Sequence, residues 1–328
     1  MQVGELIEAQ DMNALLRVID SLCERQSWDE LLDLADMCEE AVERGKQLWP
    51  IAAHVDYRIA LQAPADYAAG VLTSDATRFS LGPLTEVAAS THAWVDLAAH
   101  IEEPHIASFV AAERVLRGED LTGDVRADPS VLELPMKLLD FEPVYALATY
   151  RSDSVEVSEP WEPKKLMSDI ELTEPDLLEE PELEAILLDL VMPWTTESNG
   201  VARCAVVEGD HVEAVSALCF GKARIGEVEP QEALQRMAWA ASSGGAHGRR
   251  RGAALGRALA WRAVSALCDT DWPPDTEQLA RIMRQLEWYR WDEGAPEHGW
   301  SLRLAVRDPQ DGWAAAIAAT DLLEEGDG

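Results

Sequence analysis

The chain has 328 residues, and its 47% share of hydrophobic side chains can build one large core or two ordinary ones. No apolar run approaches the roughly 20 residues a helix needs to span a bilayer, so membrane insertion is not indicated. With 61 acidic against 27 basic side chains the formal charge is −34, a field that repels nucleic-acid phosphates and anionic lipid headgroups.

The first residues, MQVGELIEAQDMNALL, contain no basic region leading into an apolar block, so a cytoplasmic location is expected. From about residue 3 to residue 118, apolar side chains recur at helical spacing. Ile7, Leu15, Val18, Ile19 and Leu22 form one stripe. Ser27 and Glu30 stand at capping-box spacing before Trp28, Leu31, Leu32, Ala35, Cys38 and Val42, and Gly45 closes that helix. Pro50 suits a first helical turn, and Pro64 ends IAAHVDYRIALQA. Further helices are predicted over 84–101 and 103–116, the second stopped by Gly118. Trp28 and Trp94, each on an apolar stripe, are predicted core residues. About six short helices imply an irregular bundle or a helical-hairpin solenoid, with no repeat of fixed length. His92, Asp96 and His100 fall at i, i+4 and i+8 of the predicted helix. Without ligands from a second helix they read as a solvated polar face, and no metal is assigned.

Residues 121–182 differ in character. LTGDVRADPS is turn-rich, and VYALATYR can form one short strand. Residues 153–189 hold 13 acidic and two basic side chains, with Pro160, Pro163, Pro175 and Pro181 among them. An extended or partly disordered connector, the first point of proteolysis, is expected there. A helix follows over Leu183–Val191. The division is therefore a helical domain over 1–120, an acidic connector over 121–182 and a smaller α+β domain over 183–328.

In that last part, RCAVVEGDHVEAVSALC reads as a hairpin turning at Glu208–Asp210. WSLRLAVRDPQDGWAAAIAATD reads as a second hairpin, with Asp308-Pro309 and Gly312 in its turn. Both first strands carry R-x-A-V, at Arg203–Val206 and Arg303–Val306. Helices are predicted near Gln231–Ala241, Arg251–Cys268 and Thr276–Tyr289. The whole chain is thus expected to be mainly α, its carboxyl-terminal α+β domain containing two β-hairpins. Eight of the twelve tryptophans lie between Trp194 and Trp313 and read as core or interface packing. The five cysteines, Cys23, Cys38, Cys204, Cys219 and Cys268, include no C-x-x-C pair and read as reduced core residues.

One stretch departs from the acidic background. Residues 236–262 carry six arginines and no acid, around Ser242-Ser-Gly-Gly-Ala-His-Gly-Arg-Arg-Arg-Gly252. Glycines ahead of a helix leave N–H groups for an anion, and arginines add positive potential. Gly244, Gly245, His247, Gly248, Arg249, Arg250, Arg251, Gly252 and Arg257 are accordingly the candidate ligand-binding residues. The alternative is internal: Gly252 and Gly256 permit close helix packing while the arginines pair with the chain's own carboxylates. His247 has no orienting carboxylate in sequence, and no G-x-S-x-G, H-E-x-x-H, P-loop or G-x-G-x-x-G pattern occurs, so no catalytic residue is assigned.

Arg249-Arg250-Arg251-Gly252-Ala253-Ala254 resembles the R-x-x-G-x-A turn with which GCN5-related acetyltransferases hold the coenzyme A pyrophosphate. The resemblance covers six residues and implies a preceding apolar strand, where this sequence reads as helix and polar loop. LWPIAAHVDYRIAL, GPLTEVAAS, ERVLRGEDL and GGAHGRRRGAALGR resemble uncharacterised proteins of GC-rich, actinobacterial type, a resemblance that implies no activity. The expected function is a non-enzymatic, acidic interaction protein that binds a protein partner, with no cofactor, no direct nucleic acid and no membrane. The alternatives are an anionic small molecule or acyl-CoA at the 242–252 loop, and an acidic mimic of nucleic acid.

Overall fold

The computed structural model describes residues 3–72, 80–158, 167–294 and 299–322. The chain divides into one unit of Met1–Leu138 with Leu147–Val157, and a second of Leu139–Ala146 with Ser158–Gly328.

Among the described residues the first unit contains eight helices: α1 (Val3–Ala9), α2 (Met12–Glu24), α3 (Trp28–Glu43), α4 (Trp49–Gln62), α5 (Ala65–Gly70), α6 (Leu84–Thr91), α7 (Trp94–Leu97) and α8 (Pro104–Leu116). Leu15, Ile19, Leu31, Cys38, Val55, Ile59, Val87 and Val110, all fully buried, belong to one core. Gly45 and Gly118 follow α3 and α8 at φ +89° and +96°, a conformation side chains with a Cβ resist. Ser27 occupies the N-cap of α3, but its side chain makes no capping bond. Trp94 is 2% exposed, whereas Trp28, at the first position of α3, is only partly buried. A short antiparallel pair, β1 (Ala148–Tyr150) and β2 (Val155–Val157), completes this unit, and Tyr150 donates to the buried Glu86 at 2.7 Å.

The helix predicted over 84–101 is broken. His92 takes extended backbone, φ −114° and ψ 143°, and α7 begins a new turn. Side chains at the break bond to carbonyls of another helix segment. Thr91 donates to Leu61 O at 3.0 Å, and His92 Nε2 lies 2.8 Å from Ala63 O. His92, Asp96 and His100 therefore share no helical face.

Asp56 on α4 is half-buried. Burial, then the charges of Glu39 and Asp36, push its carboxyl up to about 7. An unfolded aspartate titrates near 3.9, so the folded chain holds an extra proton between about pH 4 and about pH 7. Stability is expected to fall as pH rises through that window, and Asp56→Asn should flatten the slope. Urea midpoints of the two proteins across the window check this; parallel profiles would show that Asp56 does not titrate there.

The second unit is built on a seven-stranded, wholly antiparallel sheet. Its strands are β3 (Ser168–Ile170), β4 (Asp176–Leu178), β5 (Val201–Glu208), β6 (Ala223–Val228), β7 (Glu287–Asp292), β8 (Trp300–Asp308) and β9 (Trp313–Asp321), in the order β3-β6-β7-β8-β9-β5-β4. The chain is therefore mixed α+β, which corrects the expectation of a mainly α protein. β3 and β4, both from the acidic stretch, form the two edges. Residues 159–166 of that stretch lie outside the described residues.

Helices α9 (Pro181–Asp189), α10 (Met192–Thr196), α11 (His211–Leu218), α12 (Pro230–Ser242), α13 (Ala253–Leu267) and α14 (Thr276–Met283) accompany the sheet. Ala214, Val215 and Leu218 of α11 share a core with Val207, Trp291, Ala305, Ala314 and Ala316. Leu187, Met237 and Leu267, from α9, α12 and α13, line a small apolar cavity of about 20 Å³ together with Trp288, Leu304, Val306, Ala315 and Ile317. Of the two predicted hairpins, the one at 300–321 is present as β8–β9. The other is not: only β5 forms, and the second half is α11. Asp210 accepts from Val212 N and Glu213 N at 2.8 and 3.3 Å, while Glu213 accepts from Asp210 N at 2.7 Å. This capping box starts a helix where alternation alone suggested a strand. The helix predicted to Tyr289 likewise ends at Met283, because pairing with β6 and β8 buries Trp288 and Trp291 in β7. The repeated R-x-A-V falls on β5 and β8, which flank β9 in matched register. Arg203 and Arg303 both oppose Ala318, and Val206 and Val306 both oppose Ala315.

Candidate functional site

The predicted Gly/Arg residues form a tight turn between α12 and α13. A Cβ on Gly244 would stand 2.3 Å from backbone atoms of Gly248 and Arg249, and one on Gly248 would stand 2.3 Å from Gly244 O. Gly245, at φ +75°, has no room either: its Cβ would lie 2.1 Å from Asp321 Oδ2. The turn's N–H groups reach the chain's own acceptors. Ala246 N donates to Asp321 at 2.6 Å, His247 N to Ser198 Oγ at 3.1 Å and Arg249 N to Glu197 at 3.2 Å. Gly252, at φ +93°, caps α13.

Side chains of the turn point different ways. His247 and Arg249 are exposed. Arg250 reaches Ser242 Oγ at 3.4 Å. Arg251 donates to Asp189 O at 3.1 Å, and burial lowers its pKa despite the carboxylates of Asp189 and Glu197 nearby. Arg257 is not part of this group: it is 1% exposed and engaged by the buried Glu142. The structure thus brings Gly244, Gly245, His247, Gly248, Arg249, Arg250, Arg251 and Gly252 together and directs Arg257 elsewhere. The element ahead of the turn is α12, not a strand.

A second feature of the same unit was not singled out by sequence reasoning. At one end of the sheet, β4, α9, the end of β5, the end of α13, α14 and the β8–β9 turn enclose a cleft of about 880 Å³. Leu178, Leu183, Ile186, Ile282 and Trp313, all half-buried, supply apolar walls. Glu180, Glu182, Glu208, Asp269, Asp308 and Asp311 stand around them, and no arginine, lysine or histidine occurs among the described lining residues. Asp308 is held in the turn by Gln310 N at 2.7 Å and Asp311 N at 3.1 Å. The carboxyl ends of α13 and α14 reach the cleft and add the negative end of each helix dipole. Cys268 also lines it, buried, its thiol pushed up to about 12 by burial and by the charge of Asp308. It is therefore a neutral thiol near pH 7, not a nucleophile.

The alternation of acids and leucines in DLLEEPELEAILLD was the readable trace of this cleft. Taken alone it suggests a solvated connector, because the opposing wall comes from residues 266–313, far along the chain.

The chain belongs to a family of unknown function, DUF6183, whose model matches residues 13–322. No curated protein and no solved structure matches it.

Proposed function

We propose that this family member is a non-enzymatic, cytoplasmic interaction protein that grips a basic, amphipathic segment of a protein partner in the acidic cleft. The cleft's composition carries this reading: apolar walls and six carboxylates, with no basic group among its described lining. Apolar side chains of a partner would bury against Leu183, Ile186 and Trp313, while its arginines or lysines meet the rim. The 242–252 turn is a weaker basis for a phosphate or acyl-CoA site, since N–H groups that a pyrophosphate needs are donated to Asp321 and Glu197. Among the described residues no helix is long and apolar enough to cross a membrane.

The test is titration of a fluorescent peptide alternating arginine and leucine. Binding should weaken as salt shortens the roughly 10 Å screening length of 0.1 M solution. Combining Glu180→Lys, Glu182→Lys and Asp269→Lys should lower affinity about tenfold or more, and Ile186→Asp should do so with the rim intact. Unchanged affinity in both variants would remove the cleft from consideration. Spermine binding as tightly as the peptide would mean that the cleft serves a small cation instead.

A further inference from the structure

β4 ends the sheet. It pairs with β5 on one side, and on the other no described residue hydrogen-bonds to Asp176, Leu177 or Leu178. Alternate residues of an edge strand turn N–H and C=O away from the sheet, where those groups can pair with one more strand.

The side chains give this edge a chemical pattern. Leu177 is 62% exposed, whereas β3, at the opposite edge, exposes no large apolar side chain. Asp176 and Glu179, both exposed, flank Leu177 and Leu178, with exposed Glu174 and Glu180 beyond them. None of these four acids has an ion-pair partner among the described residues. Acids along an edge keep two copies of β4 apart, because like charges directly opposite each other repel. A strand carrying basic residues meets the reverse.

We propose, resting on the function above for a basic, amphipathic partner, that its segment adds to the sheet as an extended strand along β4. Its side chains run basic, apolar, apolar, basic opposite Asp176, Leu177, Leu178 and Glu179. Residues directly opposite on neighbouring strands point to the same face. Leu178 lines the acidic cleft, so the apolar residue opposite it turns to the cleft's side of the sheet. The apolar residue before or after it turns to the other face, beside Leu177. Main-chain bonds supply affinity that any sequence could share, and the two charge contacts select the register.

The experiment is titration of the full chain, at low salt, with a fluorescent peptide centred on arginine, isoleucine, valine and arginine. Two further versions carry an N-methyl group on the isoleucine or on the valine amide. Neighbouring amides of a strand face opposite ways, so one methyl group should weaken binding about tenfold or more and the other by less than about twofold. Leu177→Lys, an exposed position outside the cleft's lining, should also weaken binding about tenfold. With the parent peptide bound, amide hydrogens of residues 176–178 should exchange more slowly. Equal effects of the two methyl groups, or unchanged affinity in Leu177→Lys, would overturn strand addition. The lysine variants of Glu180, Glu182 and Asp269 then decide separately whether the cleft still holds the peptide. No saturable binding of the parent peptide up to about 1 mM would overturn both readings.

Discussion

Glu142→Ala is expected to cost about 3–5 kcal/mol of folding stability, in the range for breaking a buried ion pair from one side. Five donors converge on this single carboxylate, one of them the backbone N–H of Leu139 at 3.0 Å. Arg257 Nε and Nη2 reach it at 2.7 and 2.8 Å, Trp261 Nε1 at 2.9 Å and Tyr145 OH at 2.7 Å. Both side chains of the ion pair are essentially inaccessible, at 1% and 0%. Burial opposes the Arg257 charge, but the hydrogen bonds and charge of Glu142 outweigh it and hold its pKa above the ordinary value. Removing Glu142 leaves a guanidinium, an indole N–H and a phenol without their acceptor in a dry interior. Glu142→Leu with Arg257→Met should recover much of the loss, because exchanging the whole pair for apolar groups leaves no uncompensated charge. Urea unfolding of wild type, single and double variants decides the matter. A single-variant cost under about 1 kcal/mol would mean that water reaches Arg257.

Trp94→Ala should cost the first unit about 3–5 kcal/mol, the range for a large aromatic removed from a core. Its ring is 2% exposed in the main cluster, and its Nε1 donates to Asp124 at 2.9 Å. Trp28→Ala is the internal comparison and should cost clearly less, since that ring is only partly buried. Thermal or urea unfolding of both variants provides the check. Equal costs would show that the apolar stripe, not the depth of burial, sets the contribution. A loss within about 0.5 kcal/mol at Trp94 would mean that the site collapses or faces solvent.

Local signals in the sequence marked most helices and their ends. Gly45 and Gly118 stop α3 and α8 because a left-handed residue is a local requirement, readable from one position. Pro104 and Pro181 open α8 and α9 for the same kind of reason: a fixed φ and a missing N–H suit the first turn. The β8–β9 hairpin was legible because its turn residues and two alternating runs are contiguous. The capping box that makes α11 a helix, Asp210 with Glu213, was also local; the alternation around it had read as strand.

What the sequence by itself determined, then, is where short-range chemistry starts and stops elements, how strongly acidic the chain is, and which stretch carries its arginines. Only the tertiary structure decided the rest. β7 is a strand because β6 and β8 lie beside it, although its tryptophans continue a helical spacing. β3 and β4 find edges to pair with, although acids and prolines surround them. Arg257 left the arginine-rich stretch for Glu142, more than a hundred residues earlier, and the cleft joins residues 178–186 to 266–313. The physical reason is range. Propensity, capping and turn chemistry act over a few residues, whereas strand pairing and charge burial are settled by neighbours that only the folded chain brings near.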